Sequence, residues 1–571
     1  MTLALLRAGW LPALVALSPA LAAQQQGSSR TNGYGVTGAA VPPALGLAVR
    51  AERAPALDGR LDDPIWQTAQ PLTGFVQRDP NEGQPGTERT EARVAYTGHA
   101  LYVAVRAWDS DPAGIRARLT RRDEDSPSDW VAIGIDSYND KRTAFVFHVN
   151  PAGVKKDSYL FNDTDEDESW DAVWDVAVAR DSAGWTAEFE IPFSQLRFPA
   201  AAEHRFGFQV ARVISRKNEE QHWRLMPKTE EGIVSRFGEL AGLTGLKPPR
   251  RIELMPYAVV RQDVTPSEEG NPFADGHTGT MRVGGDLNMG LTSNLTLTAT
   301  INPDFGQVEA DPAVVNLSAF ETFFPERRPF FSEGLDAFRF NLGVGDGDNS
   351  SNTLFYTRRI GRAPQGEADD RGGYGESIGN TTILGAAKVS GKTPGGWTVG
   401  LMTAATQNER AEVIDSLGAR HFDVVEPQSN YFVGRLARDF RGGQSQAGLF
   451  GTGVIRNLPD EGTLDFLHGE AFTGGVNWRH RFLNQRYSIS GWVAGSRVSG
   501  TPEAIDRTQR SSARYFQRPD NDYVTYDPSR TSLMGYGALV GFEKISGDVL
   551  FMIGGDTRSP GFEVNDLGFQ R

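Results

Sequence analysis

Repeated segments of alternating apolar and polar side chains in the second half of the chain constrain its fold more than any other feature. In residues 472–482, for example, Phe472 and Val476 lie on one face of the alternation, and Arg479 and Arg481 lie on the other. A period of two predicts a β-strand with two different faces. Similar segments occur at 281–291, 294–302, 382–391, 396–406, 430–440, 446–456, 487–496, 533–544 and 547–555. Their lengths lie near the ~9–11 residues that a tilted strand needs to cross a bilayer.

The polar faces of these segments repeatedly carry full charges, and the apolar faces end in aromatic residues such as Tyr487 and Phe542. A soluble antiparallel sheet also alternates, but this combination fits a wet lumen with aromatic girdles at the membrane surfaces. After the N-terminal region, no apolar stretch is as long as a transmembrane helix, so a span would have to be a closed barrel. We therefore expect residues 250–571 to form an antiparallel transmembrane β-barrel, with a soluble all-β domain as the alternative.

The N-terminus has the pattern of a secretory signal peptide. Arg7 is followed by an apolar stretch at 11–17 and by the small residues Ala20 and Ala22, which is the pattern that a signal peptidase reads. The apolar stretch is short for a membrane anchor, which needs ~20 residues. We expect a signal peptide at 1–22 and a polar linker at 23–49. The chain contains no cysteine, which excludes disulfides, thiolate metal sites and a lipid-modified cysteine.

Residues 50–246 alternate over shorter segments, and this predicts a second kind of β-domain. The segments lie at 92–96, 101–108, 131–136, 144–150 and 185–191, with Asp, Gly and Pro between them. Short strands at regular spacing are typical of a β-sandwich, and Pro248 and Pro249 mark its end. The sequence thus predicts an all-β chain, with an N-terminal sandwich and a barrel. The formal net charge of −14 argues against nucleic acid as a partner.

Four motifs in the first domain resemble the carbohydrate-binding module family 9 type of β-sandwich. They are LDGRLDDPIW at 57–66, VAIGID at 131–136, FHVNPAG at 147–153 and GWTAEFEIP at 184–192. The resemblance implies a saccharide held between paired aromatic rings with polar partners. On that basis we assign candidate ligand contacts to Trp130, Arg142, Asn150, Asp157, Trp170 and Trp174. The alternative for each tryptophan is a place in the core, which we expect for Trp66 and Trp185.

The second domain contains two motifs that resemble an uncharacterised family of bacterial outer-membrane proteins, in which such a sandwich precedes a barrel. The motifs are NPDFGQVEAD at 302–311 and FFPERRPFFSEG at 323–334. The second motif is expected to form a plug or a periplasmic segment with Arg327 and Arg328 facing the lumen, or else a long loop. Barrels of this kind end on an aromatic residue, whereas this chain ends on Arg571. The resemblance therefore implies a barrel that is truncated at its C-terminus.

An acidic run between the strands of the first domain suggests a metal site. Asp163, Asp165 and Asp167 alternate within it, and alternating carboxylates can supply the hard oxygen ligands that Ca²⁺ prefers. The run lacks the glycine and the bidentate glutamate of an EF-hand, and the alternative is a solvated acidic loop. Ca²⁺ is the one cofactor that the sequence suggests.

Three functions remain open from the sequence. The leading hypothesis is a non-enzymatic protein of the bacterial outer membrane, with its sandwich in the periplasm, that binds saccharides or helps to import them. The second is a glycan hydrolase, which needs a pair of carboxylates; Glu188 and Glu190 share a strand face but lie in a structural motif. The third is a structural or partner-binding envelope protein without sugar affinity. The expected partners are a saccharide and outer-membrane lipid.

Overall fold

The computed structural model describes residues 44–570 except 162, 169, 231, 247–251, 293–294, 304–320, 344–351, 370–371, 394, 461 and 521. The predicted signal peptide, residues 23–43 of the predicted linker, the boundary prolines and most of the motif at 302–311 lie outside the described residues. Over the described ranges, none of the helices has the length and apolar character needed to cross a membrane.

The first domain is a β-sandwich, as predicted. Its strands are β1 (Leu45–Leu47), β2 (Val49–Arg50), β3 (Val76–Asp79), β4 (Thr90–Tyr96), β5 (Ala100–Trp108), β6 (Trp130–Asp136), β7 (Ala144–Val149), β8 (Lys155–Phe161), β9 (Asp165–Asp167), β10 (Asp175–Asp181), β11 (Gly184–Pro192), β12 (Glu203–Ile214), β13 (Glu219–His222) and β14 (Gly238–Thr244). Among the described residues, one sheet runs β1-β14-β12-β6-β7-β8-β9, and β13 joins it by pairing with β12 and β3. The other sheet runs β10-β11-β5-β4-β2.

The sandwich begins earlier than residue 50, where the sequence placed its start. Strand β1 pairs in parallel with β14, and β2 pairs in parallel with β4, so the end of the predicted linker belongs to both sheets. Short strands of two or three residues do not show a period of two clearly, and this explains why the sequence placed them in the linker.

The alternation within the strands builds the core between the two sheets. Val131, Ile133 and Ile135 of β6 are fully buried in the same cluster as Trp185 of β11. On the outer face of the second sheet, Trp66 of helix α1 (Pro64–Thr68) is also buried. Trp66 and Trp185 are therefore core residues, as predicted.

Most of the described second domain is one large antiparallel sheet. The strands of this domain are β15 (Ile252–Val264), β16 (His277–Gly290), β17 (Leu295–Ile301), β18 (Tyr374–Gly375), β19 (Ile383–Lys392), β20 (Trp397–Thr406), β21 (Glu409–Ile414), β22 (Arg420–Glu426), β23 (Gln428–Phe440), β24 (Ser445–Asn457), β25 (His468–Phe482), β26 (Tyr487–Gly500), β27 (Ser532–Lys544) and β28 (Phe551–Arg558). Over the residues that the structure describes, the large sheet runs β15-β16-β17-β19-β20-β23-β24-β25-β26-β27-β28, with β15 and β28 at its edges, and β18, β21 and β22 form a separate small sheet.

The large sheet is inverted in polarity relative to a soluble sheet. On β25, Phe472 and Val476 are exposed, whereas Arg479 and Arg481 are buried on the opposite face. The same holds on neighbouring strands, where exposed apolar residues include Leu401, Phe432, Leu436, Leu449, Ile455, Ile489, Val493, Met534 and Val540, and buried charged residues include Lys388, Arg435, Arg456 and Glu543. The sequence predicted both faces of β25 correctly, and we call the apolar one the outward face.

A chain segment fills part of the inward face. Helix α2 (Pro329–Ser332) places Phe330 and Phe331 in a buried cluster with inward-facing residues of the sheet, including Met402. The Lys388 ammonium donates hydrogen bonds to the carbonyl oxygens of Phe330 and Glu333. This part of the motif at 323–334 therefore packs inside the sheet, as the plug interpretation expects.

The two arginines of this motif point to different surroundings. The Arg328 guanidinium is buried and donates to the carbonyl oxygens of Ile360 and Thr357 at 2.6 and 2.8 Å and to the Glu326 carboxylate at 2.7 Å. Arg327 is exposed. Arg328 is thus held within the packed segment, and the orientation of the two arginines toward the lumen stays a prediction.

The strands of the large sheet are joined by short turns at one end and by longer segments at the other. The short turns lie between β16 and β17, β19 and β20, β23 and β24, β25 and β26, and β27 and β28. The longer segments include β21 and β22, which lie between β20 and β23, and helix α3 (Pro502–Arg510), which lies between β26 and β27. The sandwich contacts the short-turn end, where the Gly547 amide donates to the Thr229 carbonyl at 3.0 Å.

Candidate functional site

Trp130 lies on the outer face of the first sheet of the sandwich. Its neighbour Val131 is buried in the core, so the period of two turns Trp130 away from the core. The indole nitrogen donates to the Ser126 carbonyl at 3.2 Å, and the ring is half-buried. The ring also meets His148 edge-on, with the ring centroids 6.5 Å apart and the planes at 83°. Trp130 thus presents an aromatic surface on the outer face of this sheet, which also carries a small apolar cluster that includes Val146 and Leu160.

Charged side chains lie next to His148 on the neighbouring strand. His148 of β7 pairs in register with Lys156 of β8, and the Lys156 ammonium contacts the carboxylates of Asp125 and Glu168 at 3.0 and 3.1 Å. We call Trp130, His148 and Lys156 the Trp130 platform. An apolar ring face beside fixed polar groups is the arrangement that saccharide recognition uses.

His148 keeps its neutral form in the folded protein. Burial, with a smaller contribution from the positive charge of Lys156, lowers the pKa of His148 from its usual 6.5 to about 4. The unfolded chain therefore binds one more proton than the folded chain between about pH 4 and 6.5. The contribution of His148 to the free energy of unfolding is therefore fully present above pH 6.5, and it is lost as the pH falls toward 4.

A His148→Gln variant tests this linkage. The free energy of unfolding of the wild type should fall between pH 7 and 4.5, and in this variant it should fall by about 1–2 kcal/mol less. Each pKa unit is worth ~1.4 kcal/mol, and the value is reduced because part of the His148 ring remains exposed. Urea denaturation of the full chain in detergent measures the difference. His99→Gln, at an exposed position of the same domain, is the control. Identical losses in His148→Gln and wild type would contradict this account.

Trp170 and Trp174 lie on the core side of the same sheet. The Trp174 ring is buried and stacks on Phe189 with centroids 5.8 Å apart, and it meets Phe147 edge-on at 5.2 Å. Trp170 packs against Phe145 and Phe147 at 4.9 and 5.8 Å. The structure thus does not bring these two tryptophans together with Trp130, and it gives Trp174 a place in the core.

Asp157 is a buried hydrogen-bond acceptor rather than an exposed polar group. Its carboxylate accepts from the indole nitrogen of Trp174 at 3.0 Å, from the Ala172 amide at 2.8 Å and from the Arg122 guanidinium at 2.8 Å. These bonds fix the 170–174 segment against the end of β8. The role that the structure gives Asp157 is therefore to hold this segment.

Asn150 organises a turn. Its side-chain oxygen accepts from the Ala152 and Val154 amides at 2.9 and 3.0 Å, and its side-chain nitrogen donates to the Arg118 carbonyl at 2.8 Å. The residue is fully buried. The amide group is occupied by the turn that joins β7 to β8, and this explains the NPAG sequence that follows β7.

Arg142 belongs to a contact between the two domains. Its guanidinium lies 3.1 Å from the Asp439 carboxylate of β23. Lys392 of β19 contacts the same carboxylate at 2.7 Å and the Asp140 carboxylate at 2.6 Å. We call these four residues the interdomain ion cluster. The sequence offered Arg142 as a sugar contact, but the structure places its charge against the large sheet.

Asp163 forms a second buried ion pair across the same contact. Its carboxylate lies 3.1 Å from the Arg481 guanidinium of β25, and each side chain is 4% exposed. The same carboxylate accepts from the Ser235 amide and hydroxyl at 2.8 and 2.9 Å.

These contacts also bear on the calcium prediction, which named Asp163, Asp165 and Asp167. Asp163 is directed to Arg481, whereas Asp165 and Asp167 lie on the separate strand β9. Within the described ranges, no cluster of three or more His, Cys, Asp or Glu side chains could hold a metal ion. The carboxylate of Asp163 is neutralised by a cation of the chain itself, and this leaves it poorly suited to bind Ca²⁺.

Glu188 and Glu190 are engaged in structural hydrogen bonds. The Glu188 carboxylate accepts from the Trp66 indole at 2.7 Å and from the Gly59 amide at 2.8 Å, and burial raises its pKa. Glu190 accepts from the Tyr102 hydroxyl at 3.0 Å. Glu188 fastens the segment before α1 to β11, so this pair offers no general acid facing open space.

Sequence reasoning missed the residues that join the two domains. Asp140, Lys392 and Asp439 lie at strand ends and turns, and Asp439 and Arg142 are 297 residues apart. One signal was present in the sequence: inward positions at the ends of β19 and β23 carry full charges, and buried charges need partners. The sequence could not tell where those partners lie.

The fold is therefore an all-β architecture in which a sandwich meets the short-turn end of an inverted sheet. Residues 57–239 match the family model described as Carbohydrate family 9 binding domain-like, so the sandwich is a domain of that type. Residues 248–571 match the family model described as Domain of unknown function (DUF5916). Because this match covers more than half of the chain, the chain belongs to the DUF5916 family. None of the curated proteins compared with it matches.

Solved structures that match parts of this chain include the following three. A carbohydrate binding module family 9 from Caldicellulosiruptor kristjanssonii in complex with cellotriose is 16% identical, with a TM-score of 0.26, and the match covers 34% of this chain and 92% of that chain. Pseudomonas putida OprB is 11% identical, with a TM-score of 0.24 and coverage of 76% and 88%. Pseudomonas aeruginosa OccD3 is 8% identical, with a TM-score of 0.19 and coverage of 76% and 86%.

Proposed function

We propose that this chain is a bacterial outer-membrane protein whose large sheet forms the wall of a β-barrel and whose sandwich binds a saccharide on the periplasmic side. The observation that carries the membrane assignment is the inverted polarity of the sheet. Exposed Leu449, Val476 and Val493 lie side by side on three strands, while charged residues face inward. An apolar face of this extent in water would be costly, whereas lipid accepts it.

The dimensions of the outward face support the same proposal. Phe472 lies near the long-loop end of β25, and Phe482 lies at its short-turn end. At a rise of ~3.3 Å per residue and a tilt of ~40°, the ten residue steps from Phe472 to Phe482 span about 25 Å, the height of the apolar band in such barrels. In lipid, the backbone groups of the edge strands β15 and β28 also need partners, so closure of the sheet is part of the proposal.

The positions of the turns support an orientation of the sheet in the membrane. Outer-membrane barrels have short periplasmic turns and longer extracellular loops, and the sandwich contacts the short-turn end through Lys392, Asp439 and Arg481. This contact supports a periplasmic sandwich. Because the segment around α2 fills part of the inward face with buried aromatic residues, we propose saccharide capture rather than passage through the lumen.

The saccharide proposal rests on the family match of the sandwich and on the Trp130 platform. The platform lies at the end of β6 away from residues 140–142 and therefore away from the interdomain ion cluster. A bound saccharide there would face the periplasm. The other candidate function is structural: the sandwich would have no sugar affinity and would hold the two domains together or bind a partner protein.

The buried ion pairs between the two domains are the observation that favours this second function, which we would adopt if the Trp130 platform binds no saccharide.

Replacing Trp130 with alanine tests the saccharide proposal. We expect the variant to bind a saccharide at least ~10-fold more weakly than the wild type, because the loss of a stacking ring commonly costs more than ~1.4 kcal/mol. Titration calorimetry of the full chain in detergent, first with a panel of gluco-, xylo- and manno-oligosaccharides, measures the affinity. Trp108→Ala is the matched control, since Trp108 is a half-buried tryptophan on the other sheet.

Two results would count against this assignment. Equal binding by Trp130→Ala and wild type would remove the platform as the site. A wild type that binds none of the panel would favour the sandwich without sugar affinity.

A further inference from the structure

A cavity of about 700 Å³ lies at the short-turn end of the large sheet. It is lined by Arg438, Asp439, Phe440, Arg441, Ser445 and His480. These residues come from the ends of β23, β24 and β25 and from the turn between β23 and β24. The cavity therefore opens where the outward face meets the surface that carries the sandwich.

Two arginines give this cavity a positive charge. The Arg438 guanidinium lies over the rings of Trp397 and Phe440, 5.1 Å from each centroid. Arg438 is on the same face of β23 as Leu436, which is the face that we assign to lipid. In the described part of the chain, neither Arg438 nor Arg441 forms an ion pair with a carboxylate. An uncompensated arginine at the edge of an apolar face calls for an anionic partner.

The other polar groups of the cavity do not supply that anion. The Asp439 carboxylate is engaged by Arg142 and Lys392 on the inward side. His480 shares a hydrogen bond of 2.8 Å between its Nδ1 and the Ser445 hydroxyl, and its ring stacks on Phe482 with centroids 5.7 Å apart. His480 and Ser445 are thus held in place as further polar contacts for a bound group.

An aromatic belt places the cavity at headgroup depth. Phe482, Tyr487, Phe542 and Phe551 form a continuous row at the ends of four neighbouring strands, with centroid distances of 5.9, 5.8 and 6.0 Å. Such belts lie at the interface between the lipid tails and water. Because His480 is two residues from Phe482, the cavity lies at the same depth as the belt.

From this geometry we propose that the cavity binds the phosphate of an anionic phospholipid headgroup in the leaflet at the short-turn end. Arginine forms strong paired hydrogen bonds with phosphate and stacks on aromatic rings, and Arg438 already lies over two such rings. The acyl chains of the same lipid would lie along the outward face above Phe440. The inference rests on the membrane location proposed above, and it adds a specific lipid class to it.

A double variant, Arg438→Gln with Arg441→Gln, tests the proposal in the full chain. Wild type in an uncharged detergent is titrated with phosphatidylglycerol, with phosphatidylcholine or with inorganic phosphate, and its melting temperature is followed by circular dichroism. We expect phosphatidylglycerol to raise the melting temperature of the wild type, with an apparent affinity at least ~10-fold higher than that of phosphatidylcholine. The double variant should lose this preference.

Arg497→Gln is the matched control, since Arg497 is on the outward face of β26 near its long-loop end; it should keep the preference. Equal effects of the two lipids on the wild type, or a preference that persists in the double variant, would overturn the proposal. If inorganic phosphate alone raised the melting temperature as much as phosphatidylglycerol does, the cavity would bind a free anion. That result would also overturn the proposal. A wild type that fails to enter lipid vesicles would instead refute the membrane location itself.

Discussion

Replacing Val476 with arginine is expected to destabilise the protein in a bilayer. Its free energy of unfolding should fall by about 2–4 kcal/mol. Val476 is 40% exposed at the middle of β25, between Leu449 and Val493, which are 57% and 47% exposed. If this face meets lipid, a guanidinium there must leave water or draw water into the membrane. On a soluble protein the same exposed substitution would change stability by no more than ~0.5 kcal/mol.

Ser532→Arg is the control for this substitution, because Ser532 begins β27 at the long-loop end of the same sheet. The cost of a charge falls to ~0–1 kcal/mol near the membrane surfaces, so the control should remain close to the wild type. Urea titration of the protein folded into lipid vesicles measures both variants. If Val476→Arg were no less stable than Ser532→Arg, the outward face would not be in lipid.

The second large effect is expected from Asp439→Asn at the contact between the two domains. The Asp439 side chain is 9% exposed and faces Arg142 and Lys392. Removing its charge leaves Arg142 and Lys392 with one carboxylate fewer in the interdomain ion cluster, where the Asp140 carboxylate still contacts Lys392. Breaking a buried ion pair in this way costs about 3–5 kcal/mol, so the free energy of unfolding of the full chain should fall by that order.

A double variant distinguishes the loss of a charge pair from a general disturbance. Asp439→Asn combined with Lys392→Met removes one charge of each sign and leaves Arg142 beside Asp140. The double variant should be more stable than the sum of the two single effects predicts, by at least ~1 kcal/mol. Simple additivity of the two substitutions, measured by denaturant titration, would show that the cluster does not act as a unit.

The sequence predicted the strands and faces of the large sheet well, because the period of two is a local property. Segments such as 472–482 lie within strands of the structure, with the predicted residues outward. Strand β15 was missed, since adjacent apolar residues such as Leu254 and Met255 blur its alternation. Alternation also cannot say whether a sheet closes, because closure depends on pairing between strands that are distant in the chain.

The candidate site was harder to predict than the fold. Tryptophan is common both in cores and in sugar sites, so the sequence could not separate Trp130 from Trp174. Only the structure shows that Trp130 faces outward and that Trp174 stacks on Phe189. Arg142 and Asp163 have partners in another domain, and the sequence contains no local signal for such long-range ion pairs.

The most direct test of the central claim is the depth of single residues of β25 in lipid. The chain has no cysteine, so Val476→Cys and Asn477→Cys each give one site for an environment-sensitive fluorophore. In vesicles that contain lipids with a quencher on the acyl chain, the label at 476 should be strongly quenched and the label at 477, which faces inward, should not. Equal quenching at both positions, or none at 476, would contradict an outward face in contact with lipid.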